Sequence, residues 1–396
     1  MSRPRILYID VPFELESGGD KNRSRFLWSV LSESFDVECL LVAGPSPAGS
    51  RPRFASIVPV RELRPQPAPW YQSDSIFRFA QAERDEFRQL LTKRGYAAVF
   101  LRFHSSWELA ELALGQTNGP AVIVDLDMLS SRLVGLRWQQ EPSLRNRWFL
   151  FERIKLDRFE RRLLVRPALV LFSNPVELAD QRKRVENLQA TLAVLPNVMP
   201  ELAPPTDVKV EPVILFFGSL NSAANTDAFR FLVTDLLPYL EADLQRHGVK
   251  IHVVGKNPPA WMEKLLKDAG SDRVVLVGGV ASMERAIAES RFVFLPLRVA
   301  SGTRTRILEA AAVGRAVVTT ALGAEGIEVG DDALIADEPE QLAAAVRTLL
   351  ENPSRAEQLG QRLRERCQAR YSAQRVARDL VQEVSRFLPA GKGGST

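Results

Sequence analysis

The chain has 396 residues, of which 45% are hydrophobic and 25% are charged, and its formal net charge is +4 at neutral pH. This length is large for one hydrophobic core and fits two domains. The small net charge argues against nucleic acid as a partner, because such binding usually shows as a clustered basic stripe. The two cysteines, Cys39 and Cys367, suggest neither a disulfide framework nor a metal-binding spacing, so a reducing compartment is expected.

The first apolar run, RILYIDV, is nearly continuous and rich in β-branched residues, which predicts a buried strand of a parallel sheet. It is too short for a signal peptide or a spanning helix, and no later apolar run is long enough to span, so we expect a soluble, cytoplasmic protein. A loop with Gly18 and Gly19 follows, then a helix and a second strand, FDVECLLVA. This strand–loop–helix–strand unit is the first step of a doubly wound sheet.

Further along the first half, three more strand patterns alternate with helical ones: AAVFLRF, PAVIVDLD and LVLFS. The segment Trp138–Arg166 predicts one long helix or two helices. A last strand, TLAVLPN, is followed by a Pro-rich polar stretch that is typical of an interdomain linker.

The second half restarts the same alternation, which predicts another parallel α/β sheet with right-handed crossovers. We therefore divide the chain into an N-terminal domain over residues 1–200 and a C-terminal domain over residues 201–375. Residues 376–396 are expected to form a C-terminal helix and a disordered tail.

Ligands of open parallel sheets bind beyond the carboxyl ends of the strands, near helix N-termini. Backbone N–H groups and a partial positive charge suit phosphates there. In the second half, the first three loops at such positions supply these candidate substrate-binding residues: Gly218, Ser219, Asn221, Gly255 and Gly278.

The segment SGTRTRILEA, after the fourth strand of the second half, is the most informative part of the chain. Gly302 allows the backbone to approach a diphosphate closely, and Arg304 and Arg306 supply charge and forked donors for phosphate oxygens. Glu309 follows one to two turns into the predicted helix, where a carboxylate can accept both hydroxyls of a ribose. The alternative is a helix N-terminus with solvated arginines.

Over roughly residues 212–371 these segments resemble the donor-binding half of retaining GT-B glycosyltransferases of group 1, a family with many bacterial polysaccharide and glycolipid enzymes. The resemblance implies an α/β fold of two Rossmann-like domains whose parallel sheets face a central cleft. It also implies a nucleoside diphosphate sugar as co-substrate and a glycan or lipid-linked acceptor. Retention of configuration is implied as well, with no metal and no other cofactor.

The same resemblance implies roles for individual residues. Glu309 matches the glutamate that binds ribose, and Gly302 and Thr303 lie in the segment that meets the diphosphate. Gly18 and Gly19 match the loop of the first domain that closes on the phosphate and sugar.

The sequence departs from the family pattern at three places. Ser301 stands where a glutamate often helps to hold the donor sugar. The loop SLNSAAN lacks the usual cation, so we assign catalytic charge to Arg304 and Arg306. Asp125 and Asp127 end the strand where a histidine is often found near the reacting centre, and both are candidate catalytic residues.

Several of these side chains have more than one interpretation. Asp125 and Asp127 fit a DxD metal pattern, but a metal is disfavoured because arginines and helix termini can meet the phosphate charge. They orient a sugar hydroxyl or are strand-end aspartates. His104, at the end of AAVFLRF, is a neutral acceptor-binding side chain or a structural histidine.

The segment Trp138–Arg166 mixes arginines with aromatic residues, a pattern that suits peripheral contact with the inner face of an anionic membrane. It equally suits a domain helix with one buried face and one solvated basic face. Two rivals to sugar transfer also stay open. One is a nucleotide-sugar epimerase or phosphorylase on the same scaffold, and the other is a catalytically silent protein that binds nucleotide sugars.

Overall fold

The computed structural model describes residues 3–11, 19–42, 73, 76–202 and 207–389 of the chain. Within these ranges, none of the helices has the length and hydropathy that a membrane span requires.

The chain forms two compact units, each assembled from separate stretches of sequence. The first comprises Met1–Ser131, Leu150–Pro196 and Gln374–Thr396, and the second comprises Arg132–Phe149 and Asn197–Ala373. The last helix of the chain therefore belongs to the first unit, although it follows the second unit in sequence.

In the described part of the first unit, six parallel strands form one sheet in the order β2-β1-β3-β4-β5-β6. The strands are β1 (Arg5–Asp10), β2 (Asp36–Leu41), β3 (Ala98–Leu101), β4 (Ala121–Leu126), β5 (Leu169–Phe172) and β6 (Thr191–Val194). The strand order reverses between β1 and β3, because β1 pairs with β2 on one side and with β3 on the other.

Helices cover this sheet, and the inner strands β3 and β5 are buried at every residue. Burial on both faces explains why these strands are continuous apolar runs in the sequence. The helices that lie wholly or mostly in this unit are α1 (Gly19–Ser34), α2 (Gln81–Arg94), α3 (Trp107–Leu114), α5 (Trp148–Leu164), α6 (Pro175–Arg184) and α15 (Ala373–Phe387).

The second unit contains a second parallel sheet, with the order β12-β11-β10-β7-β8-β9 over its described residues. Its strands are β7 (Val213–Phe217), β8 (Lys250–Val254), β9 (Val274–Gly278), β10 (Phe292–Leu295), β11 (Val317–Thr319) and β12 (Leu334–Ile335). Here the strand order reverses between β7 and β10, which is the Rossmann arrangement.

The core of the second unit is built from apolar side chains on the sheet and on the helices that pack against it, including Phe216, Phe229, Phe292 and Phe294. The helices mostly or wholly in this unit are α4 (Ser130–Gln140), α7 (Ala223–Phe231), α8 (Leu237–Arg246), α9 (Ala260–Ala269), α10 (Met283–Glu289), α11 (Thr305–Ala312), α12 (Ala321–Ala324), α13 (Pro339–Glu351) and α14 (Pro353–Tyr371). A π-helical turn, Leu232–Leu236, joins α7 to α8.

The prediction of two parallel α/β sheets is confirmed, and each sheet has a reversal point of the kind that forms a ligand crevice. The segment Trp138–Arg166 contains the end of α4 and the whole of α5, with a break between Gln140 and Trp148.

Candidate functional site

The residues predicted to bind phosphate gather at the carboxyl edge of the second sheet. Gly218 directly follows β7, Gly255 directly follows β8, and α11 comes after β10. Because the strand order reverses between β7 and β10, these loops meet where open α/β sheets bind ligands.

Two glycines allow the backbone to pack closely at this edge. Gly218 has a φ of +146°, which side chains disfavour. A Cβ atom there would lie 2.6 Å from Asn225 Nδ2 and 2.9 Å from Arg306 Cζ. A Cβ atom on Gly255 would lie 2.1 Å from the carbonyl oxygen of Gly218. Both positions therefore require glycine, and the guanidinium of Arg306 lies against the backbone of Gly218.

The guanidinium of Arg306 is held in place through one of its nitrogen atoms. Nη1 donates to the carbonyl oxygen of Phe217 at 3.1 Å and to Asn225 Oδ1 at 2.6 Å. Asn225 Nδ2 in turn donates to the carbonyl oxygen of Ser219 at 2.7 Å. Within the described residues, Nε and Nη2 of Arg306 make no hydrogen bond, so two further donors remain for a ligand.

The electrostatics of this site favour an anion. Burial lowers the pKa of Arg306 to about 10, the charge of Arg304 lowers it as well, and Glu309 partly opposes both. Arg306 therefore stays protonated at neutral pH, although burial and a neighbouring cation both disfavour its charge. An anionic ligand would relieve this repulsion, because an opposite charge nearby favours the charged form.

Glu309 lies in the middle of α11, on the same helix as Arg306. Burial raises the pKa of Glu309, while the charge of Arg306 and a hydrogen bond with Thr305 lower it. The site thus contains two cations and one carboxylate, the charge pattern expected for binding a diphosphate beside a hydroxyl-rich ring.

The loop before α11 supplies the other predicted residues of the segment. Gly302 has a φ of +70°, and Ser301 is buried. Thr303 Oγ1 accepts a hydrogen bond from Asn197 Nδ2 at 2.6 Å. Arg304 directly precedes α11, and its side chain does not cap the helix. The positive end of the helix dipole therefore lies beside a cationic residue.

The remaining predicted residues of the second unit differ in how closely they join this site. The backbone N–H of Gly255 donates to the carbonyl oxygen of Gly278 at 2.8 Å, so Gly278 lies next to the glycine pair. Ser219 and Asn221 are exposed in the turn before α7.

In the first unit, Asp125 is fully buried in β4 and held by two arginines. Arg23 donates Nε to Asp125 Oδ2 at 2.9 Å and Nη2 to Oδ1 at 2.6 Å. Arg102 Nη1 lies 3.0 Å from Oδ2. Because both carboxylate oxygens already contact cations, this geometry suits a positioning role for Asp125 better than direct contact with a substrate.

Asp127 follows β4 and is the more exposed of the two aspartates, with 18% of its side chain accessible. Arg102 Nη2 donates to Asp127 Oδ2 at 3.3 Å, and Arg102 Nε donates to Ser24 Oγ at 3.1 Å. The fully buried Arg102 therefore connects Asp125 in the interior to Asp127 at the ligand edge of the sheet.

Asp10, the last residue of β1, lies close to the same arginine. Tyr8 donates its hydroxyl to Asp10 Oδ2 at 2.9 Å. Burial raises the pKa of Asp10 to about 6, although the charge of Arg102 lowers it. Two arginines and three aspartates thus surround the reversal point between β1 and β3.

Two predicted residues of the first unit precede or begin a helix. Gly18 lies outside the described residues, and Gly19 is the first residue of α1. Their predicted contact with phosphate and sugar stays a prediction.

His104 lies in a short 3₁₀ turn after β3 and is buried. Its ring centroid is 5.8 Å from that of Phe159, and burial lowers its pKa to about 4. The side chain is therefore neutral at physiological pH, as both interpretations of it require.

His104 should make the protein less stable in acid. Since its folded pKa of about 4 is below the unfolded value of about 6.5, the unfolded chain binds an extra proton between these two pH values. This group should therefore reduce the free energy of unfolding as pH falls from 6.5 to 4, by up to about 3 kcal/mol. Denaturant titrations across this pH range measure the free energy of unfolding of wild type and of His104→Gln. The difference between these two free energies should change by that amount.

The difference between the two proteins is the informative quantity, because Asp10 opposes His104 in the same pH range. Its raised pKa favours the folded state as pH falls, which partly cancels the effect in wild type alone. A wild-type and His104→Gln difference that does not change with pH would mean that His104 is solvated in solution.

The sequence patterns also place Asn225 in the loop region after the first strand of the second half, but two residues that contribute to these sites were not selected from the sequence: Arg23 and Arg102. Arg102 follows a continuous apolar strand, and a charged side chain at such a position is a usable signal. Arg23 lies in an ordinary helical pattern, and only the folded chain shows what it contacts.

Among the described residues, no three His, Cys, Asp or Glu side chains are placed to hold one metal ion.

The two sheet orders agree with the fold of solved structures. The chain has the fold of sucrose-phosphate synthase from Thermosynechococcus elongatus, with a TM-score of 0.73, 18% identity and coverage of 98% of this chain and 100% of that one. Anabaena HepE, solved with UDP and glucose, is similar with a TM-score of 0.62 and 14% identity, over 96% of this chain and 99% of that one. WaaG, a glycosyltransferase involved in lipopolysaccharide biosynthesis, is similar with a TM-score of 0.61 and 16% identity, over 98% of this chain and 100% of that one.

These similarities define the class of fold as GT-B, with two Rossmann-like sheets. Residues 211–352, which include the Arg306 site, match the family model described as glycosyl transferases group 1. No curated protein sequence matches the chain.

Proposed function

We propose that this protein transfers a sugar from a nucleoside diphosphate sugar to a glycan or lipid-linked acceptor. The observation that carries the proposal is the arrangement of Arg306. It is a partly buried cation with two unused donor nitrogens, beside Arg304 and the closely packed Gly218 backbone, at the reversal point of the second sheet. The group 1 glycosyltransferase match covers the same residues.

In the proposed reaction, the bond between the anomeric carbon of the sugar and the diphosphate oxygen breaks while a hydroxyl oxygen of the acceptor bonds to that carbon. Negative charge grows on the leaving diphosphate, which takes up the proton of the acceptor hydroxyl. Arg306, Arg304 and the N-terminus of α11 stabilise that charge, while the Gly302 backbone allows close approach. Glu309 accepts hydrogen bonds from the ribose hydroxyls. The guanidinium of Arg306 is already held in place by Phe217 and Asn225, so it needs little reorganisation as charge develops.

We assign acceptor binding to the first unit, with Asp127 at the ligand edge of its sheet and Asp125 and the two arginines holding it in place. We further propose that configuration is retained, that no metal is required, and that the reaction takes place in the cytoplasm. Cys39 and Cys367 are both buried, which fits a reducing compartment. Product anomer, determined by NMR, tests retention.

A thermal-shift panel of nucleoside diphosphates and their sugar conjugates, with and without EDTA, tests the donor site directly. UDP-glucose belongs in the panel first, because HepE was solved with UDP and glucose. A rise in melting temperature with one base that survives EDTA supports a metal-free donor site. Product formation with an acceptor then separates a transferase from an epimerase or a binding protein, and the absence of any shift would remove support for the donor site.

Glu309→Ala should weaken binding of the nucleotide that the panel selects. The change removes a charged acceptor for the ribose hydroxyls, and each such hydrogen bond contributes about 1.5–3 kcal/mol. The dissociation constant measured by calorimetry should rise at least about tenfold. Glu340→Ala, an exposed glutamate in the first turn of α13, is the control. Equal affinity in both variants would locate the ribose elsewhere.

A further inference from the structure

One face of α5 exposes large apolar and basic side chains together. Five residues at helical spacing define it, and we call them the α5 stripe: Phe151, Ile154, Lys155, Arg158 and Arg162. The side chains of Phe151 and Ile154 are 67% and 58% exposed. Two bulky apolar side chains this exposed, one turn apart on one helix face, suggest an interaction surface.

The opposite face of α5 accounts for the packing of the helix. Leu156, Leu163 and Leu164 are buried, and so is Glu160, which accepts hydrogen bonds from Ser131. The fold of the first unit therefore requires the buried face but does not require Phe151 or Ile154 to be apolar.

The charge on the stripe is positive. Within the described residues Arg158 makes no ion pair, while Lys155 lies 3.7 Å from Glu152 and Arg162 lies 3.4 Å from Glu111. Both of these pairs are partly exposed, so they contribute little and can exchange for other anions.

Of the three acidic residues of α5, Glu152 lies beside Lys155 at the edge of the stripe, whereas Asp157 and Glu160 lie away from it. Asp157 pairs with Arg161 and Arg184, and Glu160 is buried. The stripe thus presents two apolar side chains and three cations, and the neighbouring carboxylates Glu152 and Glu111 only partly offset this positive charge.

We propose that the α5 stripe binds the surface of an anionic lipid bilayer, with Phe151 and Ile154 entering the boundary between headgroups and acyl chains. Lys155, Arg158 and Arg162 would then lie at the level of the lipid phosphates. Lipid is favoured over a protein groove because cations flank the apolar side chains on the same face. Long basic side chains can bury their stems beside apolar groups and keep their charge at the headgroups. This surface lies outside the proposed donor site and is independent of the proposed reaction.

The test is sedimentation of the full chain with vesicles of phosphatidylcholine alone and of phosphatidylcholine mixed equally with phosphatidylglycerol. Wild type should bind the anionic vesicles and not the neutral ones, and high salt should release it. Phe151→Ser combined with Ile154→Ser should reduce the partition coefficient at least about tenfold. Val176→Ser, at a 48% exposed valine of the same unit, should leave it unchanged.

Two arginines of the same helix provide a matched test of the charge. Arg153 and Arg158 are both exposed and make no ion pair within the described residues, but Arg153 lies on the other side of α5 from Phe151. Arg158→Gln should weaken binding to anionic vesicles about fivefold, and Arg153→Gln should weaken it much less. Equal effects of the two substitutions would show that binding depends on the net charge of the protein and not on this face of α5, which would overturn the proposal.

Two other results would overturn the proposal. One is the absence of wild-type binding to anionic vesicles. The other is a wild-type dimer in sedimentation velocity that Phe151→Ser with Ile154→Ser converts to monomer, which would assign the stripe to a second copy of the chain. Nucleotide-induced thermal shifts of the same variants should match wild type, so failure here is distinguishable from failure of the proposed sugar transfer.

Discussion

Replacing Arg306 by alanine is expected to lower kcat/KM for sugar transfer by about two to three orders of magnitude, the loss typical of removing one fixed donor to a developing anion. The donors that reach a ligand would be Nε and Nη2, because Nη1 is bound to Phe217 and Asn225. Steady-state kinetics with the donor identified by thermal shift measures the effect. Arg306→Lys should recover only part of the activity, since an ammonium keeps the charge but loses the fork.

The matched control for this variant is Arg315→Ala. Arg315 is also a partly buried arginine whose pKa is lowered by burial, and it also donates to a backbone carbonyl, that of Ala288. It precedes β11 and therefore lies at the opposite edge of the sheet from the candidate site. Both variants should lose some stability, but only Arg306→Ala should lose activity beyond the loss of folded protein. Equal kcat/KM in Arg306→Ala and wild type would remove Arg306 from the mechanism.

Arg102→Met is expected to reduce the free energy of unfolding by about 3–5 kcal/mol, because it leaves buried carboxylates without one of their cations. Arg102 is itself fully buried and contacts both Asp125 and Asp127. Urea denaturation of the purified chain measures the change, provided that the transition of the first unit is resolved. Arg88→Met is the control, because the exposed pair between Arg88 and Asp85 should contribute about 0.5 kcal/mol or less.

A second substitution distinguishes the ionic explanation from loss of packing. Asp125→Asn in the Arg102→Met background removes the charge that lost its partner, so the double variant should be destabilised by less than the sum of the two single changes. Additive losses would show that Arg102 stabilises the unit through its packing and not through its charge.

The two units place charge in different ways. In the first unit, each buried arginine contacts carboxylates, so the network is balanced internally and holds Asp127 at the sheet edge. In the second unit, Arg306 has no carboxylate in contact among the described residues, and its nearest charged neighbours include another arginine. A network in which cations and carboxylates are paired is typical of residues that hold a site in place. A cation without a carboxylate in contact, at the end of a strand, is typical of a residue that binds a ligand.

The sequence by itself determined the alternation of strands and helices, and with it the two parallel sheets. Continuous apolar runs such as Ala98–Leu101 predict buried strands, because helices on both faces exclude water from every side chain. It also determined that Gly218, Gly255 and the segment Ser301–Glu309 come after strands of the second half. Position after a strand fixes the edge of a parallel sheet at which a residue lies.

Only the tertiary structure decided which of these residues touch. The contacts of Arg306 with Phe217 and Asn225 join residues more than 80 positions apart, and no local pattern encodes such a distance. The pairing of Arg23 with Asp125 is similar, since a helix and a strand from distant parts of the chain must pack before either charge has a partner. Periodicity reports which face of an element is buried, but the identity of the neighbour depends on strand order, which arises only when the whole sheet assembles.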